Sequence, residues 1–118
     1  MRLTKESDNQ GLCRVSCEGE FTLEDLQAKA DPLEQVLGAD VYGRKVLLNL
    51  ERTTYLDSCG VGRLIQWQHR FVDGGGMLVI HSIPPTIQHI LRLLQMDRVL
   101  KMAADEAAAA RLAAGAKP

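Results

Sequence analysis

The residues best suited to chemistry in this chain follow one another near its middle. Asp57 is followed by Ser58 and Cys59, and then by Gly60. An apolar run at residues 46–50 comes before this turn and apolar residues at helical spacing come after it, which indicates a buried strand leading into a helix. Because the first N–H groups of a helix have no partner inside the helix, the turn suits an anion or a phosphate on a side chain.

Cys59 offers a second kind of chemistry, because thiols at helix N-termini are often reactive. His81 follows another apolar run, so a parallel sheet would place it on the same rim as Cys59, where a Cys–His pair is conceivable. No third group that would orient such a pair is evident, and we favour a small side chain that simply fills the position. Gly60 and Gly62 lack the partners of a nucleotide-binding loop and indicate close packing at a helix start.

The other cysteines and histidines predict no metal site and no cofactor. His69, His81 and His89 fall on different predicted elements, and the three cysteines have no Cys-x-x-Cys spacing. Cys13 and Cys17 lie on one predicted strand and would be roughly 13 Å apart, beyond the reach of a disulfide. We therefore expect free thiols in a reducing compartment, and a cytoplasmic protein.

Length and composition predict one ordinary globular domain. The chain has 118 residues, of which 46% are hydrophobic and 25% charged, with a formal net charge of −1. That charge does not favour nucleic acid or an acidic membrane, and with 4% aromatic residues there is no platform for stacking bases. The first ten residues lack the apolar region of a signal peptide, and no run is long enough to insert into a membrane.

The first third of the chain predicts a hairpin and a helix. Residues 12–17 alternate between two faces, with Cys13, Val15 and Cys17 on one of them, and a turn at residues 8–11 joins them to an earlier strand. Thr22 is a suitable N-cap for the helix that follows. Pro32 either kinks that helix or starts a second one capped by Asp31, and Gly38 ends it.

The remainder alternates strands with helices. Asp57 or Ser58 caps the central helix, on which Val61, Leu64, Ile65, Gln68, Phe71 and Val72 share one arc while Trp67 lies at the rim and Arg63, Gln66, His69 and Arg70 face away. The resulting order is ββαβαβαβα, an α/β fold with a mixed sheet of four to five strands and helices mainly on one face. The remaining predicted elements are a strand at 44–50, a strand at 77–80 parallel to it, a helix with Ile87, Ile90, Leu91 and Leu94 on one face, a short strand at 99–102 and an alanine-rich helix at 105–114. We expect one domain at 1–114 and a frayed tail at 115–118.

This order and the run from Leu56 to Gly62 resemble the STAS domains of bacterial anti-sigma factor antagonists. Residues 18–21, 77–94, 96–100 and 105–107 agree with the same family. The resemblance implies a non-enzymatic switch that binds an anti-sigma factor, commonly a serine-kinase-type ATPase, and so frees a sigma factor. The kinase phosphorylates a hydroxyl at the start of the second helix, and the added charge releases the antagonist.

Three positions depart from the family's pattern. Cys59 stands where the family has its phosphoacceptor hydroxyl, Thr22 where it usually has Asp, and Gln95 where it usually has Gly. Ser58 keeps a hydroxyl one residue earlier, although that shift turns a helical side chain by roughly 100°. We therefore expect Cys59 to weaken or remove phosphorylation control, which leaves Ser58 as a candidate acceptor. If position 95 needs left-handed backbone, the helix end differs there.

The implied partner-binding surface is the rim around the Asp57 turn together with an exposed stripe of the following helix. Its predicted members are Glu20, Phe21, Thr22, Asp57, Ser58, Cys59, Gly60, Val61, Arg63, Trp67 and Arg70. Two alternatives stay open at this point: Asp57 is only an N-cap, and the stripe is only a solvated helix face with Trp67 half-buried. An alternative function is an accessory or scaffold STAS subunit of a signalling assembly, with other STAS proteins as partners, or of a membrane transport ATPase.

Overall fold

A β-hairpin opens the fold. The structure is a computed structural model that describes residues 2–9, 11–21 and 31–115. Strand β1 (Arg2–Asn9) pairs antiparallel with β2 (Leu12–Phe21), and Gly11 takes a positive φ of 75° in the connecting turn. Cys13, Val15 and Cys17 are buried on one face of β2, so the predicted hairpin and alternation are confirmed.

Strand β3 (Lys45–Asn49) lies at the centre of the sheet, as the apolar run predicts. It pairs in parallel with β2 on one side and with β5 (Met77–His81) on the other. Strand β6 (Lys101–Ala103) adds to β5, also in parallel, and the order is β1-β2-β3-β5-β6. Parallel strands covered on both faces need apolar residues at every position, which explains the uninterrupted run.

A short strand that the sequence does not predict, β4 (Thr53–Leu56), pairs in parallel with the end of β2. The sheet of the described residues therefore has six strands rather than four to five. Strand β2 continues to Phe21 through an irregular register at Gly19, and β4 supplies a partner for this extension. The side-chain hydroxyl of Thr53 donates to the carbonyl of Cys17 at 2.9 Å, which also fixes β4 to β2.

The helices begin and end close to the predicted signals. Helix α1 (Pro32–Leu37) is a separate short helix capped by Asp31, whose Oδ1 accepts from the N–H of Leu33 at 2.9 Å. The structure therefore agrees with the second reading of Pro32. Gly38 follows α1 with a φ of 97°. The predicted N-cap Thr22 and the stripe from Leu23 to Ala30 lie outside the described residues.

The later helices and two 3-10 turns complete the chain. Helix α2 is Ser58–Gly74, α3 is Pro85–Leu93 and α4 is Glu106–Ala113, with 3-10 turns at Val41–Gly43 and Met96–Arg98. Gln95 adopts left-handed backbone at φ 58°, as expected for a position where the family has glycine. Leu94, predicted on the buried face of its helix, is 49% exposed because α3 ends one residue earlier. The predicted tail beyond Gly115 is not described.

Two cores lie on opposite faces of the sheet. The larger one joins α1, α2 and α3 to alternate residues of the strands, such as Val15, Leu48 and Ile80. The smaller one joins Ala109 and Ala113 of α4 to Leu12, Leu47 and Val79. The helices therefore pack mainly on one face, as predicted, and small alanine side chains let α4 approach the other face closely.

Candidate functional site

The start of α2 is fixed to the end of β2 by backbone and cap hydrogen bonds. Asp57 is the N-cap, with its Oδ1 accepting from the N–H of Gly60 at 2.9 Å. The N–H of Asp57 in turn donates to the carbonyl of Phe21 at 3.3 Å. These bonds hold the first turn of the helix at the carboxyl edge of the sheet, where open α/β sheets commonly place their sites.

Gly60 allows the close approach of helix and sheet. A Cβ atom added there would lie 2.5 Å from the carbonyl oxygen of Phe21 and 2.6 Å from a methyl group of Leu56. At Gly62, two residues further along the helix, an added Cβ would have no neighbour within 4 Å among the described atoms. The interpretation of close packing is therefore confirmed at Gly60, and it is wrong at Gly62.

The accessible surface of this site consists of a few side chains around the first turn of α2. Ser58 is exposed at the first helical position, and Asp57 and Cys59 are partly buried. Glu20 is exposed on β2, and its register partner on β4 is Tyr55, which is 51% exposed. Among the other predicted members, Phe21 and Val61 are buried, so they support the surface rather than form it.

Tyr55 is a member of this surface that the sequence reasoning missed. It stands two residues before Asp57 on a strand that was not predicted, since only four residues pair there and two of them are threonines. The available signal was an aromatic residue among β-branched residues directly before a helix cap, which favours a short strand with one exposed face.

The predicted exposed stripe of Arg63, Trp67 and Arg70 is wrong for two of its members. Trp67 is 0% exposed, and its ring packs edge-on against Phe21 with 5.6 Å between ring centroids. Arg63 is 7% exposed, with its guanidinium 6.0 Å from the centre of the Trp67 ring. The helical pattern alone could not reveal this burial, because Trp67 packs against Phe21, which belongs to a distant strand.

Asp31 joins α1 to α2 through a shared carboxylate. Its Oδ1 accepts from the indole N–H of Trp67 at 3.2 Å, and its Oδ2 accepts from Arg70 at 2.7 Å and from the hydroxyl of Tyr42. Burial and the hydrogen bond to Asp31 raise the pKa of Tyr42 well above its ordinary value. Arg70 is exposed, as predicted, but its charge is already engaged in this structural ion pair.

The structure does not bring His81 to Cys59. His81 aligns with Asn49 in the sheet and alternates with Ile80, so it shares the face of Val79 and α4, while α2 lies on the opposite face. Burial lowers the pKa of His81, and the charges that act on it are those of Glu106, Glu6, Asp105 and Arg14. A Cys–His pair is therefore not formed.

Over residues 2–9, 11–21 and 31–115, no group of three His, Cys, Asp or Glu residues is placed to hold a metal ion. None of the three cysteines forms a disulfide in the described part of the chain, and Cys13 and Cys17 are buried. None of the helices in the same ranges has the length and hydropathy to cross a membrane.

A mixed sheet led by a hairpin, with a capped helix start at its carboxyl edge, defines an α/β fold. Residues 5–102 match the family described as the Mlab, STAS domain. The chain therefore belongs to the STAS domain family, which the resemblance in the sequence indicates.

Solved structures with the same fold include anti-sigma factor antagonists. One from Mycobacterium paratuberculosis is 21% identical with a TM-score of 0.71, covering 96% of this chain and 95% of that one. A Thermotoga maritima protein assigned to the same class is 16% identical with a TM-score of 0.77, and the match covers 89% of each chain. The Bacillus cell fate determinant SpoIIAA in its phosphorylated form is 19% identical with a TM-score of 0.60. That match covers 94% of this chain and 99% of the SpoIIAA chain. At these identities the likeness establishes the fold.

Proposed function

We propose that this STAS domain is a non-enzymatic protein-binding regulator that resembles an anti-sigma factor antagonist in a partner-switching pathway. Its proposed partner is an anti-sigma factor, in particular a serine-kinase-type ATPase. The observation that carries the proposal is the exposure of Ser58 at the first position of α2. The start of this helix is held in place by the Asp57 cap and the close packing of Gly60. A turn that is already held by these contacts loses less conformational freedom when a partner binds.

The proposed contact surface is revised by the burial of its members. It consists of Glu20, Tyr55, Asp57, Ser58 and Cys59, which are exposed or partly exposed at one edge of the sheet. Tyrosine is one of the residue types that most often carry binding energy in protein interfaces. Phe21, Gly60 and Val61 position this surface from below, whereas Trp67 is excluded from direct contact by its burial.

Ser58 is the proposed control point. A phosphate there would bring about −1.5 to −2 charges to the positive end of α2, which the domain itself tolerates. A partner that presents a carboxylate or an apolar surface at this point would be repelled by several kcal/mol. The proposal is supported by the solved structure of SpoIIAA in its phosphorylated form, since that protein has the same fold. Because Cys59 replaces the usual hydroxyl, we propose binding controlled by abundance or through Ser58.

A pull-down of the tagged protein from its native lysate tests the proposal. The bait is the wild type, Ser58→Asp, or the matched control Thr86→Asp, which places the same charge at the exposed start of α3. We expect mass spectrometry to identify a histidine-kinase-like ATPase or sigma regulator with the wild type and the control, and much less of it with Ser58→Asp. Equal recovery with both variants would contradict the proposed surface.

A second candidate function is favoured by the thiol at position 59. Without a hydroxyl there, the domain suits constitutive association as an accessory or scaffold subunit of a signalling assembly or a membrane transport ATPase. The same pull-down separates the two functions, since recovery of a transport ATPase or of other STAS proteins supports the second and not the first.

A further inference from the structure

A groove lies at the opposite end of the sheet from the α2 start. It has a volume of about 860 Å³ and is bordered by the first residues of β2 and β3, the segment at Gly43 and Arg44, and the last turn of α4. Among the described residues, no acidic side chain lines the groove, and its basic side chains are those of Arg14, Arg44, Lys45 and Arg111. Leu12 and Ala110 supply apolar lining.

The basic residues reach the groove from different parts of the sequence. Lys45 aligns with Leu12 between β3 and β2, and strand alternation puts both on the α4 side of the sheet together with Arg14. Arg111 comes from the last turn of α4, where its charge offsets the negative end of that helix. Convergence from two strands, one loop and one helix distinguishes this arrangement from a solvated charge run along one element.

Two of the four charges are already balanced by carboxylates outside the groove lining. Arg44 pairs with Asp8, and Arg14 lies 3.6 Å from a carboxylate oxygen of Glu106. Lys45 and Arg111 are exposed and form no ion pair with any residue in the described part of the chain. The groove therefore keeps an excess of positive charge, although the whole chain has a net charge of −1.

We propose that this groove binds a small phosphate-bearing anion, with Lys45 and Arg111 as its principal contacts. Its volume falls in the range of about 300–1,000 Å³ that is typical of small-molecule sites. A guanidinium can donate two parallel hydrogen bonds to phosphate, and an ammonium adds a point charge. A soluble phosphorylated molecule and an anionic phospholipid headgroup offer this same chemistry. The site is independent of the proposed partner surface, which lies at the other edge of the sheet.

Two probes distinguish the sources of the phosphate. Inorganic pyrophosphate is titrated into the full chain while backbone amide shifts are followed by NMR, and vesicles of phosphatidylcholine with or without phosphatidylglycerol are tested by co-sedimentation. Saturable shifts at Gly11, Gly43 and Lys45 with pyrophosphate indicate a soluble ligand. Sedimentation only with phosphatidylglycerol indicates a headgroup. Either result supports the site, and the absence of both would overturn it.

Lys45→Gln/Arg111→Gln tests which residues carry the binding. Both side chains are exposed and unpaired within the described ranges, so the fold should persist, and circular dichroism verifies this. Arg52→Gln/Arg98→Gln is the control, because it removes the same charge from exposed positions outside the groove. We expect the first pair to weaken binding by about tenfold or more and the control to leave it nearly unchanged. Equal losses of binding in the two variants would show that binding depends only on the net charge of the protein, and would overturn the assignment to this groove.

Discussion

The two halves of helix α2 have different contacts, although the sequence predicts that both belong to one binding surface. The first turn exposes Ser58 beside Tyr55, while further along the helix Trp67 and Arg70 are engaged by Asp31. Tryptophan and arginine are frequent interface anchors, yet here they fasten α2 to α1. The difference teaches that residue type indicates where a strong contact forms. Whether that contact is made within the domain or with a partner protein depends on which other segments of the chain lie nearby.

The largest predicted effect concerns the internal half. Trp67→Ala removes a fully buried ring that packs against Phe21, so we expect the free energy of unfolding to fall by about 3–5 kcal/mol. Urea denaturation followed by circular dichroism measures it. Tyr55→Ala, at an exposed aromatic, is the matched comparison and should cost less than about 1 kcal/mol. Similar losses for the two variants would remove the distinction between the halves.

Gly60→Ala tests the close packing of the first turn of α2 against the sheet. The new Cβ would lie 2.5 Å from a backbone oxygen that cannot move aside easily, so we expect a loss of about 1–3 kcal/mol. Gly62→Ala enters open space on the same helix and should stabilise it by roughly 0.5–1 kcal/mol. Thermal unfolding of both variants compares them directly, and two changes of the same sign would contradict the geometry.

Tyr42→Phe removes the hydroxyl that donates to Asp31. Hydrogen bonds to charged groups contribute about 1.5–3 kcal/mol, so a loss in that range is expected near neutral pH. Since the folded pKa of Tyr42 is raised, its contribution is complete below the unfolded value of about 10 and decreases as the pH rises above it. The difference in unfolding free energy between wild type and variant should therefore be smaller at pH 11 than at pH 8. A constant difference would exclude the linkage.

The smallest predicted effect comes from the cap. Asp57→Ala leaves the N–H of Gly60 without its side-chain acceptor and should cost about 1 kcal/mol, whereas Asp57→Asn should cost only a few tenths. Urea midpoints are sufficient to resolve the pair. If Asp57→Asn abolished partner recovery at unchanged stability, Asp57 would be a contact as well as a cap.

The sequence predicts those features that depend on neighbours along the chain. The structure has the predicted central strand. Of the alternatives that the sequence left open, it has the Asp57 cap, a helix that begins at Pro32 and left-handed backbone at Gln95. Strand β4 carries a weak signal because its four residues gain their order from pairing with β2 rather than from an apolar pattern.

Features that depend on distant segments were not predictable in the same way. Trp67 packs against Phe21 and donates to Asp31, which are 46 and 36 residues away in sequence, so the periodicity of α2 alone does not predict these contacts. The side of the sheet on which His81 lies follows from strand alternation, yet its separation from Cys59 requires knowing which helix covers which face. For Trp67 the prediction identified the helix and misplaced the side chain at the surface, whereas for His81 the structure agrees with the preference against a Cys–His pair.

Site-specific photocrosslinking tests most directly whether the first turn of α2 is the recognition surface. A photoreactive phenylalanine derivative would replace either Tyr55 or Val72, which are 51% and 66% exposed and lie at opposite ends of the helix region. We predict that irradiation in the native cell links position 55 to a protein partner and leaves position 72 unlinked. Capture at position 72 alone, or equally at both positions, would contradict the account.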